Sequence, residues 1–338
     1  MRKNKHIIII ISLCVIILLG ISGSLAFYHL EKATRESATS GLKDESVVQR
    51  VISTQTATSP QEKTSIMPKE EQPAEEPIMA QPVTRKNDQV TYLDDAFTLP
   101  DPHENRPVYD RYTIRQRQEK GLPLTYGAKR DYYYGKKVVY LTFDDGPDKQ
   151  NTPAILRILK QENIKGTFFL VGLNVVKHPS IVRAIFESGN AIGLHSYTHN
   201  YKKLYASPQN YMDEMMMTED VIYRILQVRP IITRAPGGTA GHFTKAYWDT
   251  IKRYGYIEVG WNSLTGDADG TGKTADKAYQ NIVSQIQQQP YLHTHLVILM
   301  HDSAGHGETV TVLPRIIHYF KEQGYTFRVI TPAIPPAW

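Results

Sequence analysis

The chain is 338 residues long, room for about two domains of roughly 150 residues or for one α/β barrel of ~200–250 residues with additions. Hydrophobic residues make up 41% and charged residues 22%, which excludes a chain disordered throughout, and the single cysteine, Cys14, excludes a disulfide scaffold and a thiolate zinc cluster. Of the net charge of +5, three charges are Arg2, Lys3 and Lys5, so residues 31–338 carry only +2 and no cationic nucleic-acid-binding face is expected.

Met1–His6 is basic and Ile7–Phe27 is an apolar run of 21 residues, about the 20 that a hydrocarbon core of ~30 Å requires. As an uncleaved single-pass anchor with its basic end inside, it places the rest of the chain outside the cell. A cleaved signal peptide, for which Ser24-Leu25-Ala26 offers a small-x-small site, would release the chain in secreted form. Residues 1–30 are therefore assigned to an anchor or signal segment. Glu31–Thr91 holds no aromatic residue and scatters five prolines through Ser, Thr, Gln, Glu and Lys, so residues 31–91 read as a disordered linker. Aromatics return at Tyr92, Phe97, Tyr109 and Tyr112. Residues 92–130 read as an extension packed on the main domain, which spans 131–338.

Within that domain the pattern predicts strands at Lys137–Phe143, Thr167–Val171, Ala191–Leu194, Ile231–Thr233, Ile257–Trp261, Leu296–Met300 and Thr326–Ile330. Helices are predicted at 152–162, Ile181–Glu187, 208–226 (opened by the Ser207-Pro208 cap), 244–253, 274–288 and 309–322. Strands alternating with helices predict a parallel sheet covered on both faces. About seven such units predict an α/β fold, a (β/α) barrel that is distorted or incomplete.

Four polar clusters follow strand ends. Thr142-Phe143-Asp144-Asp145-Gly146-Pro147 carries two adjacent carboxylates before a tight turn, able to bind a metal with one and move a proton with the other; an ordinary Asp-rich turn is the alternative. In His195-Ser196-Tyr197-Thr198-His199, a helical conformation would put both imidazoles on one face, where they could share a cation. Neutral imidazole suits zinc and related transition metals, and one carboxylate plus two histidines leaves room for water. Arg234-Ala235-Pro236-Gly237-Gly238 offers a guanidinium to hold a carboxylate and glycines that let backbone N–H approach a substrate. His301-Asp302 ends the strand Leu296–Met300.

Other features are set aside. Five residues rather than four separate Gly266 from Gly272-Lys273-Thr274, which breaks the phosphate-loop pattern, and a calcium loop from Asp267 would put Ala278 where a bidentate Glu belongs. Met212, Met215, Met216 and Met217 lie in a helix with Tyr211, Ile222 and Leu226 and mostly read as core packing. The remaining histidines, His306 and His242 among them, have no motif around them.

In chain order, TFDDGP, HSYTH, RAPGG and the LMHD strand end resemble the motifs of the NodB-type polysaccharide deacetylases, carbohydrate esterase family 4, over roughly residues 135–330. The resemblance implies removal of acetyl from an N-acetylated sugar polymer. It implies that Asp145, His195 and His199 hold one divalent metal ion (zinc, with cobalt or another transition metal as alternatives), that Asp144 is the general base and that Arg234 orients it. Gly237 would supply an oxyanion N–H, Leu299 a wall of the acetyl pocket and His301 the general acid. The fourth motif departs from the family: Asp267 matches its Asp, the expected partner of His301, but Ala268 stands where a tryptophan is usual, and Asp269 is a rival. An anchored enzyme of this kind is expected to act on the wall glycan, with chitin-like and poly-N-acetylglucosamine chains as alternatives. A non-catalytic glycan-binding module and a purely structural anchor are the readings from other classes.

Overall fold

The computed structural model describes residues 87–127, 129–289 and 294–336; the apolar run 7–27 and residues 31–86 of the expected linker lie outside them. No helix among the described residues is long and apolar enough to cross a membrane. In chain order the strands are β1 (Thr91–Tyr92), β2 (Val108–Asp110), β3 (Val138–Asp144), β4 (Thr167–Leu170), β5 (Ala191–Leu194), β6 (Arg229–Pro230), β7 (Ile232–Thr233), β8 (Ile257–Glu258), β9 (Ser263–Leu264), β10 (His295–His301) and β11 (Thr326–Phe327). The main sheet runs β8-β7-β5-β4-β3-β10-β9, with β11 on β3, and its pairings are parallel. No pairing joins β8 to β9 among the described residues, so the seven-strand path is an open half-barrel.

Strand β3 explains the architecture. All seven of its residues are buried, as parallel strands covered on both sides require. Its side chains alternate: Val139, Leu141 and Phe143 join the core under the helices, whereas Val138 and Tyr140 join a second core inside the barrel. Phe168 and Leu170 of β4, and Leu296, Ile298 and Met300 of β10, lie under the helices; Phe169 and Val297 point inward. Carried to the strand ends, this two-residue period turns Thr142 and Asp144 inward on β3, and Leu299 and His301 inward on β10. The register pairs His301 directly with Asp144. The same parity turns inward His195 after β5, Arg234 after β7 and Trp261 after β8, because Ile192, Leu194 and Ala235 face the helices while Ile232, Ile257 and Val259 face inward.

The sheet differs from the sequence-based expectation in strand length. Ile257–Trp261 and Thr326–Ile330 shrink to two-residue ladders, since Val259 N and Arg328 N bond to Thr233 O and Val139 O after regular pairing has ended. Strand β9 and the short helix Gly172–Lys177 were not expected. Residues 87–91, compositionally part of the linker, pack here: Asn87 donates to Phe186 O (3.0 Å), Val90 is buried and Thr91 pairs with Val108.

Strands β1, β2 and β6 form a small separate sheet. Tyr109 of β2 accepts through its hydroxyl from Ile192 N (3.0 Å), which ties that sheet to the strand delivering His195. Asp110 bonds both Arg117 (2.5 and 3.0 Å) and Arg229 (2.9 Å), all three fully buried. Removing one partner from such a buried ion network typically costs about 3–5 kcal/mol. The network therefore fixes the start of the segment that leads through β7 to Arg234.

Candidate active site

Four strand ends bring their polar residues to one cavity of about 350 Å³. Arg234 is fully buried and donates four ways: Nε to Val259 O (3.0 Å), one terminal nitrogen to Thr142 Oγ1 (2.7 Å) and Asp144 Oδ1 (2.9 Å), the other to Gly260 O (2.9 Å). Its guanidinium also lies 4.1 Å from the centre of the Phe169 ring. With its donors committed to fixed acceptors, Arg234 fixes Asp144 Oδ1 and leaves Oδ2 directed toward His195, 3.8 Å away. Thr142, named in the sequence only as the start of the TFDDGP motif and given no role there, stands two residues before Asp144 and so shares its inward face.

The HSYTH segment is not helical, so the expected one-face argument for its two histidines fails. It leaves β5 as an irregular turn, with positive φ at Ser196 (65°) and His199 (55°), and Asp145 shares that feature (74°). Non-glycine residues visit this region rarely, and they persist in it where surrounding bonds overdetermine them. Here those bonds come from Glu214 on the helix Pro208–Leu226. Its Oε2 accepts from Tyr197 N (3.0 Å), Thr198 N (2.7 Å) and Thr198 Oγ1 (2.9 Å) while the residue is 1% exposed. Asp145 O in turn accepts from Asn174 Nδ2 (2.8 Å). Glu214 escaped notice because it sits among methionines. Its spacing from Tyr211 and Thr218 places it on the buried stripe, where a carboxylate requires partners.

The turn brings His195 Nε2 to 3.4 Å and His199 Nε2 to 3.1 Å from Asp145 Oδ1. His195 Nδ1 lies 2.8 Å from Arg234 O, which fixes the ring tautomer and leaves Nε2 for another partner, an arrangement usual for metal-bound histidine. Asp145 Oδ1 is buried and receives no hydrogen bond of acceptable geometry. An orphaned carboxylate oxygen facing two imidazole nitrogens fits a divalent transition metal in both donor chemistry and placement.

Across the cavity His301 Nδ1 lies 2.9 Å from Asp267 Oδ1, while Asp267 Oδ2 accepts from His301 N (2.7 Å) and Thr309 Oγ1 (2.8 Å). Burial alone would lower the His301 pKa. The hydrogen bond and charge of Asp267, with Asp144 and Asp145 farther off, outweigh it and push the pKa up to about 9. Asp269 does not reach His301; its Oδ1 accepts from Thr271 N (2.8 Å) and Thr271 Oγ1 (2.6 Å).

Gly237 has φ +71°, and a Cβ there would meet Tyr201 Oη at 2.7 Å, so this turn requires glycine. Leu299 and Ala268 line the cavity beside Trp261. Sequence reasoning gave Asp302 no role beside His301 and missed Glu258 and His306. Asp302 is buried against Gly146 and accepts from Thr152 Oγ1 (2.5 Å), and burial pushes its pKa up to about 7. Glu258 accepts from Ala235 N (2.6 Å) and so pins the start of the RAPGG turn. His306, which has no motif around it, stacks on His301 with ring centres 5.0 Å apart. A larger cavity of 710 Å³ beside Trp248 and Tyr256 holds no comparable convergence of ligands.

A carboxylate held by arginine, an Asp–His–His cluster whose donors suit a divalent ion and a carboxylate-supported histidine meet at the strand ends of a parallel half-barrel, the kinds of group that hydrolytic sites use. Comparison with known proteins makes the class specific. The polysaccharide deacetylase family model matches residues 131–259. A peptidoglycan-N-acetylglucosamine deacetylase of Bacillus cereus is 35% identical over 192 residues, covering 57% of this chain and 68% of the relative. A peptidoglycan-N-acetylmuramic acid deacetylase of Bacillus subtilis is 29% identical over 204 residues, 59% of this chain and 73% of the relative. Among solved structures, a Streptococcus mutans CE4 esterase superposes with TM-score 0.54 at 31% identity, covering 63% of this chain and 94% of that one. The chain belongs to the polysaccharide deacetylase family, hydrolases that act on amide bonds.

Proposed function

We propose that this protein removes the acetyl group from N-acetylated amino sugars of peptidoglycan outside the cell. The observation that carries the reading is the meeting, in one cavity, of the Asp145–His195–His199 ligand set with the Asp144–Arg234 and Asp267–His301 pairs. Similarity to deacetylases of wall N-acetylglucosamine and N-acetylmuramic acid supports the polymer. The basic start and apolar run 7–27 support a membrane tether that leaves the catalytic domain outside.

Asp145, His195 and His199 would hold a divalent ion of the zinc class, which would supply Lewis acidity to the amide carbonyl and to water. Asp144, its Oδ1 fixed by Arg234, takes the proton of the attacking water on Oδ2. Gly237 offers its N–H to the oxygen on which charge develops. Leu299 faces the acetyl methyl. His301, held charged by Asp267, gives its Nε2 proton to the sugar nitrogen as the carbon–nitrogen bond breaks. Water adds and the bond cleaves, so acetate and a free amine leave in equal amounts. Mixing the protein with N-acetylglucosamine oligomers and assaying acetate and new amine tests the chemistry; neither product from metal-loaded protein would contradict it. Surface protease treatment of intact cells tests the topology, since an external domain is shaved off while an internal one survives.

A further inference from the structure

We propose that Asp267, His301 and His306 form a second divalent-cation site, of the zinc class, whose occupation disables the proton donor. The three share no residue with Asp145, His195 and His199. Their candidate ligand atoms all lie within 4.8 Å of one another. The two imidazole rings stack at 28°, and both Nδ1 atoms approach the same carboxylate, His301 at 2.9 Å from Oδ1 and His306 at 4.0 Å from Oδ2. Ligands about 2.0–2.2 Å from a tetrahedral ion stand roughly 3.3–3.6 Å apart, so a small rotation of His306 from its 4.0 Å separation completes the set. His306 stands at the edge of the site: its side chain is 21% exposed, it precedes the helix Gly307–Glu322, and a Cβ placed on its neighbour Gly305 would meet nothing within 4 Å.

The two sites fill in a definite order. Asp145 Oδ1 gives up no well-formed hydrogen bond on taking an ion, since its imidazole neighbours at 3.4 and 3.1 Å are themselves the other candidate ligands. Asp267 must surrender the bond to His301 Nδ1. The first site is therefore the tighter, and the second fills only when metal is in excess. The consequence for activity rests on the role assigned above to His301. An ion on Nδ1 displaces the proton there, so loss of the remaining Nε2 proton would leave an imidazolate, a far weaker donor than imidazolium. Activity then rises with the first equivalent of metal and falls with the second.

The test uses the full chain, stripped of metal and dialysed against increasing zinc, with bound metal and acetate release both measured. Wild type is expected to bind one more equivalent than His306→Gln. His199→Ala, which breaks the first site, is expected to keep the weaker equivalent. In wild type, excess zinc lowers kcat by roughly 10²-fold, the worth of a positioned proton donor, whereas His306→Gln keeps its one-equivalent activity in excess zinc. Equal metal content in wild type and His306→Gln would overturn the site, as would inhibition that persists in His306→Gln. An extra equivalent in wild type without inhibition would uphold the site and contradict His301 as the donor.

Discussion

Replacing Asp267 by asparagine removes a charge 2.9 Å from His301 Nδ1 while keeping the shape of the side chain and one acceptor oxygen. Two unit charges ~3 Å apart interact by about 5 kcal/mol at an effective dielectric of 20 and by about 1.4 kcal/mol in bulk water. The rise of the His301 pKa from 6.5 to about 9 corresponds to about 3 kcal/mol of imidazolium stabilisation, inside that range. Without the carboxylate the imidazolium is less stable and its pKa falls, so the limb of the kcat profile that needs protonated His301 moves to lower pH. If the pKa returns to roughly 6.5, the protonated fraction at pH 8 drops about 30-fold, while at pH 6 it changes less than about twofold. The assay is the pH dependence of acetate release in Asp267→Asn, with metal content and thermal melting as controls, because Asp267 Oδ2 also serves His301 N and Thr309 Oγ1. Asp269→Asn should leave the profile in place. A descending limb at the wild-type position in Asp267→Asn would refute the pairing as the source of the histidine's charge.

Three further outcomes follow from the same geometry. Chelation should abolish acetate release and zinc or cobalt should restore it, and full turnover in verified metal-free protein would contradict the ligand set. Asp144→Asn and His301→Ala should each lower kcat by roughly 10²-fold or more and keep the tighter metal equivalent, whereas His199→Ala should lose it; metal analysis beside kinetics separates the roles. Glu214→Ala strips three hydrogen bonds from the histidine turn and should weaken metal affinity by roughly 10–100-fold, the usual cost of removing a group that orients ligands. A chromophoric chelator in competition measures that affinity, and an unchanged value would assign Glu214 to packing alone.

Most of the barrel could be read from periodicity, because β3, β4, β5 and β10 are buried strands bounded by clear turns. Inward parity, extended one step past each strand, also accounts for how Asp144, His195, Arg234 and His301 meet. Strand β9 went unseen because a two-residue ladder carries no period, and the ends expected at Trp261 and Ile330 overran for the same reason. The histidine turn misled because left-handed conformations at Ser196 and His199 are imposed by Glu214, and propensity registers only local preference. His306 was invisible for a different reason. Its partners, Asp267 and His301, lie on separate segments, and only the turn after β10 folds it back against them.

The most direct test of the central claim is mass spectrometry of muropeptides from purified peptidoglycan incubated with the metal-loaded protein. The account predicts fragments that have lost acetyl from the sugar, with acetate appearing one for one, and no such loss with Asp144→Asn. Fully acetylated fragments after incubation, from protein that holds its metal and is folded, would contradict it.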